Sequence, residues 1–206
     1  SQILNHKPYE KMLAVISKII NKINHKFEFI DLGGGMGISY NENNKKLNYK
    51  KYNLAIKKFL KKHNSKIIFE PVRSIVGNIG TLISKVIYIK SSGIRKFVIL
   101  DTAMNDFMRP ALYGATHKML PSIKKKKISK KVYEFVGPIC ESTDKFNTLK
   151  RFQELNEKDL VVICDVGAYG MSLSSNYNLR TKPVELLIKG SKIKVIKKRQ
   201  KLKELI

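Results

Sequence analysis

The sequence predicts an α/β region followed by a β-rich one, read as the end of a (β/α)8 barrel joined to a β-sandwich or barrel domain. Three observations predict it. Residues 1–80 alternate helix-like and strand-like apolar patterns, and residues 81–206 carry short β-rich runs without comparable helices between them. The two strands of the first part also run straight into loops of unusual chemistry, the arrangement found at the carboxyl face of such barrels.

In the first region Tyr9, Met12, Leu13, Ile16, Ile19, Ile20 and Ile23 recur at helical spacing behind Pro8, which suits a first helical turn, so a helix is predicted over roughly 8–24. Phe27 to Leu32 reads as a buried strand, and the cluster Gly33-Gly34-Gly35-Met36-Gly37 follows it directly. Tyr52, Ile56, Phe59 and Leu60 mark a second helix ending near His63, and Lys66 to Glu70 a second strand that stops at Pro71. Two parallel strands need neighbours and covering helices. These are therefore expected to be the last two strands of a barrel whose earlier strands lie outside this chain, and the start at Ser1 rather than methionine is read the same way.

Beyond a boundary near 80, strands are predicted at Thr81–Lys90, Lys96–Asp101, Lys131–Val136, Leu160–Cys164, Val184–Lys189 and Lys192–Ile196, and a closing helix in the basic tail Lys197–Ile206. The chain is 43% apolar over 206 residues, enough to bury a core, which excludes disorder as a description of the whole. No stretch approaches the roughly 18 apolar residues of a membrane span. The two cysteines and four scattered histidines offer neither a disulfide framework nor a zinc spacing, and a reducing, cytoplasmic setting is expected.

The net charge of +25 raises the question of nucleic acid. Only six of the 41 basic residues are arginines, the residue that reads base edges with a bidentate fork, and the lysines are spread along the chain. A lysine-rich solvated surface is the better reading, with Lys124 to Lys127 as a charged loop and a nucleic-acid-binding module as the alternative from another class.

Five segments carry chemistry. Asp31 to Ile38 is a glycine-rich loop whose backbone N–H groups can approach a phosphate, although a structural turn reads as well. Glu70-Pro71-Val72-Arg73 places an acid and an arginine at a strand's carboxyl end. In the β-rich half the segments 101–114 (with Arg109 and Tyr113), 137–142 (Gly-Pro-Ile-Cys140-Glu141-Ser) and 167–172 (with Tyr169) break the apolar pattern with dense polar and aromatic residues. Singly, Cys140 reads as a small hydrophobe, Tyr169 as core and Arg109 as an ion-pair partner.

In this order, from Ser1 to about Lys189, the segments resemble the diaminopimelate decarboxylases, enzymes with an amino-terminal pyridoxal phosphate barrel of the alanine-racemase type and a carboxyl-terminal β domain. The resemblance is to their second half, and Ser1-Gln2 is similar to the end of a His-Ile-Gly-Ser segment near the cofactor phosphate. It implies decarboxylation of meso-2,6-diaminopimelate to lysine. Pyridoxal phosphate would be held by backbone around Gly35 and by Pro71, Val72 and Arg73, with Glu70 beside the pyridine nitrogen and Tyr169 against cofactor and substrate. It implies Arg109 and Tyr113 at the distal carboxylate, Glu141 at the distal ammonium, Arg73 near a substrate carboxylate and Cys140 as proton donor. A homodimer in which Cys140 and Glu141 complete the partner's site is implied as well.

Related decarboxylases of ornithine, arginine or carboxynorspermidine are the nearest alternatives. Arg109 separates them, because a substrate without a distal carboxylate leaves a guanidinium unpaired. The chain departs from the family twice. Val72 puts a branched side chain where the family's glycine lets backbone approach phosphate and visit positive φ, and no lysine here matches the family's Schiff-base lysine, which predicts that these residues alone are inactive.

Overall fold

The computed structural model describes residues 2–23, 25–40 and 45–206, so Ser1 and the expected helix end at Asn24 lie outside the described residues. The chain forms two compact units, Ser1–Asn78 and Ile79–Ile206.

In the first unit helix α1 (Lys7–Ile23) opens with the Asn5 side chain accepting from the Lys7 N–H at 3.0 Å, and turns Tyr9 and Leu13 inward. Helix α2 (Tyr49–His63) is capped by the Asn48 side-chain oxygen Oδ1, which accepts from the Lys51 N–H, and it stops at Asn64 in the left-handed region (φ 47°). Strands β1 (Phe29–Asp31) and β2 (Lys66–Ile68) pair in parallel, Phe29 opposite Lys66 and Asp31 opposite Ile68. The helices bury two clusters against them, Leu13, Leu32 and Phe59 in one, Tyr9, Met36, Leu47 and Tyr52 in the other. Parallel pairing puts both carboxyl ends at the same edge, and the two chemically unusual segments are neighbours for that reason. Gln2 and Ile3 lie along the first of them: Ile3 bridges Met36, and the Gln2 side chain bonds both the N–H and the carbonyl of Ile38.

The second unit is built on a six-stranded sheet in the order β5 (Met119–Pro121), β8 (Leu160–Cys164), β3 (Thr81–Ser92), β4 (Arg95–Leu100), β6 (Val132–Val136), β7 (Lys145–Leu149). Every neighbouring pair is antiparallel except β4 with β6. Alternation along the strands sends Val98 and Leu100, Tyr133 and Phe135, and Val161 and Ile163 into one core with Phe107, Phe146 and Phe152. A separate hairpin, β9 (Glu185–Lys189) with β10 (Lys192–Lys197), leaves its apolar side chains exposed.

Three local expectations are corrected. The segment after Pro71, expected as a loop, is a short helix, α3 (Val72–Val76); Val72 is its first residue and lacks the positive φ that would strain a branched side chain. A further short helix, α4 (Arg109–Tyr113), carries Arg109. The basic tail forms only one 3-10 turn, Leu202–Glu204, in place of a closing helix. Its cations repel one another at helical spacing, and Gln200 holds the backbone extended by accepting from the Asn176 amide (2.7 Å) and the Lys182 N–H (3.1 Å).

Candidate active site

At the carboxyl ends of β1 and β2 the loops are tied by backbone hydrogen bonds from Leu32 to the Ile68 carbonyl (3.0 Å) and from Glu70 to the Gly33 carbonyl (2.9 Å). Gly34 passes so close to the Glu70 carbonyl that a Cβ at 34 would stand 2.2 Å from it, and Gly33 and Gly35 adopt φ of 64° and 86°, open only to glycine at low cost. The outcome is a loop with bare backbone: the N–H groups of Gly34 and Gly35 make no hydrogen bond among the described residues. Beside it the Glu70 side chain is exposed, and Pro71 and Arg73 are half-buried, Arg73 donating to the Tyr40 hydroxyl.

In the second unit the first two singled-out segments meet each other and the stretch 175–180 that follows the third. Asp144, 3% exposed, accepts from the Met104 N–H at 2.7 Å with one oxygen and from the Ile139 N–H at 2.8 Å with the other, joining the segment before Arg109 to the one before Cys140. Asn105 joins the first segment to residues 175–180, just beyond the third: its carbonyl accepts from the Ser175 N–H (2.9 Å) and its side-chain oxygen from Arg180 Nε (3.1 Å). The Tyr177 hydroxyl donates to Glu141 at 2.6 Å, joining the same stretch to the second segment. Burial pushes the carboxyls of Asp144 and Asp106 above the usual aspartate range, opposed by their backbone hydrogen bonds and by the Arg180 cation. The hydrogen bond to Glu141 raises the Tyr177 phenol.

Of the residues expected to act, Cys140 and Glu141 lie exposed on the second loop, and Tyr113 is exposed at the end of α4. Arg109 is buried, 6% exposed, with its NH1 2.8 Å from His117 Nε2. Tyr169 sits in the left-handed region (φ 59°) within a turn so tight that a Cβ at Gly170 would stand 2.4 Å from the Val166 carbonyl; a bulky residue held there is over-determined by its surroundings. Gly35, Glu70, Pro71, Val72 and Arg73 share the edge of the first unit. Sequence reasoning passed over His117, Asp144, Tyr177 and Arg180. All four lie outside the stretches marked as unusual, and their partners are remote in sequence.

Residues 13–167 match the family model described as the pyridoxal-dependent decarboxylase, C-terminal sheet domain. The chain belongs to that family. Among curated relatives, the diaminopimelate decarboxylase of Zymomonas mobilis is 40% identical over 212 aligned positions, taking in 100% of this chain and 49% of that protein. The crystal structure of the Helicobacter pylori diaminopimelate decarboxylase complexed with L-lysine superposes with a TM-score of 0.85 at 40% identity, over 97% of this chain and 49% of that one. The enzyme of that name from M. jannaschii, also with L-lysine, gives 0.91 at 30% identity over 100% and 49%. The chain thus spans about half the length of the curated relatives it matches.

Proposed function

We propose that these residues form the carboxyl-terminal half of a pyridoxal-phosphate-dependent decarboxylase that converts meso-2,6-diaminopimelate to L-lysine and CO2, with residues 1–80 as the end of its (β/α)8 barrel and 81–206 as its β-rich domain. The observation that carries the reading is the connected loop cluster of the second unit, which brings the segments of a buried cation, Arg109, and an exposed anion, Glu141, into one hydrogen-bonded assembly. A substrate bearing carboxylate and ammonium at its non-reacting end calls for that pair.

The first unit fits the cofactor. The bare N–H groups of Gly34 and Gly35 suit a phosphate, with Pro71, Val72 and Arg73 at the adjoining strand end, and the exposed Glu70 carboxylate suits a protonated pyridine nitrogen. Pyridoxal phosphate, when bound, supplies the sink for the electron pair left at the α-carbon when CO2 departs. This chain's residues do the rest. Glu70 holds the pyridine proton, Arg109 and Tyr113 take the distal carboxylate, Glu141 takes the distal ammonium, and Tyr169 lines cofactor and substrate. Arg73 stands near a substrate carboxylate, and Cys140 returns a proton from its Sγ to the α-carbon. The exposure of Cys140 and Glu141 supports a homodimer in which they serve the partner's site, and two unpaired cysteines support a cytoplasmic setting. No described helix is long and apolar enough to cross a membrane.

The test is the product of the full-length gene, purified with pyridoxal phosphate and offered meso-diaminopimelate and ornithine. Cofactor-dependent CO2 release from diaminopimelate alone is expected. Arg109→Ala is expected to raise KM by about 10- to 150-fold, the loss of a hydrogen-bonded charge worth roughly 1.5–3 kcal/mol. Activity on ornithine in place of diaminopimelate would refute the substrate.

A further inference from the structure

His117 contributes to no step described above, yet it is 1% exposed and bonded at both ring nitrogens. Nδ1 lies 2.9 Å from the Cys164 carbonyl and Nε2 lies 2.8 Å from Arg109 NH1. A carbonyl oxygen only accepts, so Nδ1 carries a proton; a guanidinium only donates, so Nε2 presents a lone pair. Both partners therefore select one state, the neutral ring protonated at Nδ1. The ring is fixed from outside as well: Phe107 meets it edge-on at 4.7 Å and 84°, and the His117 carbonyl accepts from the Asn147 amide at 2.9 Å. The anchor is β8, where the Cys164 N–H donates to the Lys118 carbonyl at 2.9 Å.

We infer that His117 is a positioning residue for substrate selection: it relays the rigidity of β8 to the Arg109 guanidinium and sets the plane in which that group meets a substrate carboxylate. The inference rests on the reading in which Arg109 takes the distal carboxylate. A free arginine must order several torsions on binding, and a guanidinium already held by an acceptor has met that cost during folding. Lysine at position 109 would not serve equally, since a point charge has no plane to fix.

Two substitutions separate this role from packing. A glutamine places its amide oxygen near the position of Nε2 and keeps the acceptor for Arg109; an asparagine places its amide nitrogen near Nδ1, keeps the donor to Cys164 and loses that acceptor. Both lose the ring. In the full-length gene product with pyridoxal phosphate, His117→Asn is expected to raise KM for diaminopimelate about tenfold with a smaller change in kcat, and His117→Gln to recover most of the loss. Equal KM changes in the two variants, or a loss confined to kcat, would overturn the inference while leaving the substrate reading intact. If the parent protein has no activity on diaminopimelate, the reading of Arg109 fails instead, and nitrogen-15 NMR of labelled histidines decides the pairing. A neutral ring protonated at Nδ1, absent from His117→Asn and altered at Nε2 by Arg109→Lys, supports it. A ring protonated at Nε2 overturns it.

Discussion

Gly137→Ala is the sharpest probe of how the loop cluster is held. A Cβ at 137 would stand 2.2 Å and 2.4 Å from the two carboxylate oxygens of Asp144 and 2.6 Å from its Cγ. Gly137 is not among the residues with positive φ, so the substitution costs nothing through its own backbone, and the whole effect falls on Asp144. That carboxylate cannot move without lengthening its 2.7 Å and 2.8 Å bonds to the Met104 and Ile139 N–H groups. At roughly 1.5–3 kcal/mol for a hydrogen bond to a charged group, and with part returned by water at the loosened site, a net destabilisation of about 2–4 kcal/mol is expected. Asp144→Ala removes the obstacle together with both bonds. The double variant should therefore be no less stable than Asp144→Ala alone, a strong departure from additivity that thermal unfolding of the parent, both singles and the double would read directly. If Gly137→Ala costs as much in the Asp144→Ala background as in the parent, the collision is not the mechanism and Asp144 is not the brace between the two loops.

Two further outcomes follow from the same geometry. Because burial raises the folded-state carboxyls of Asp106 and Asp144 above their unfolded values, the folded protein binds more protons between those values, so their contribution to stability is fully present below the ordinary aspartate range and is lost as pH rises through the raised ones; thermal melts across mildly acidic pH should show a shallower dependence in Asp144→Asn than in the parent, and an unchanged dependence would contradict the assignment. Val72→Gly, which introduces the glycine that the family resemblance implies at this position, is expected to bring no gain in pyridoxal phosphate affinity and to cost up to about 1 kcal/mol at the start of α3, checked by cofactor titration alongside thermal unfolding, since Val72 has no strain to release.

The helices and parallel strands of the first unit were legible because their apolar residues keep a period: Tyr9, Leu13 and Phe59 mark buried faces in the sequence before any contact is known. β5 and β7 left no such mark. One is three residues ending in proline, and the other, Lys145-Phe146-Asn147-Thr148-Leu149, buries Phe146 alone, so both edge strands are made by their neighbours rather than by their own pattern. α3 was obscured by Pro71, which the sequence offers equally as a strand stop and a helix start. Among site residues, Cys140, Glu141 and Tyr169 stand in stretches whose composition is unusual in itself. His117 and Asp144 do not; their meaning lies in partners at 109, 164, 104 and 139, and contacts of that kind have no period to betray them.

The cluster is held by polar rather than apolar contacts, and the direction of those contacts accounts for it. Packing of Phe107 and Ile139 fixes where the loops lie but is indifferent to small rotations, whereas a carboxylate accepting two N–H groups, or an imidazole lone pair facing a guanidinium, also fixes which way a backbone or side chain points. That precision has a cost, visible in the raised carboxyls of Asp106 and Asp144, and Arg180 offsets part of it by lowering both. The same arginine bonds the Asp101 carbonyl at 2.6 Å and the Asn105 side chain, so the cation that relieves the buried acids is also a tie between the segments. Electrostatic relief and loop geometry thus depend on one side chain, and a buried network of that kind tolerates the loss of any member poorly because each removal leaves another charge or dipole unmatched.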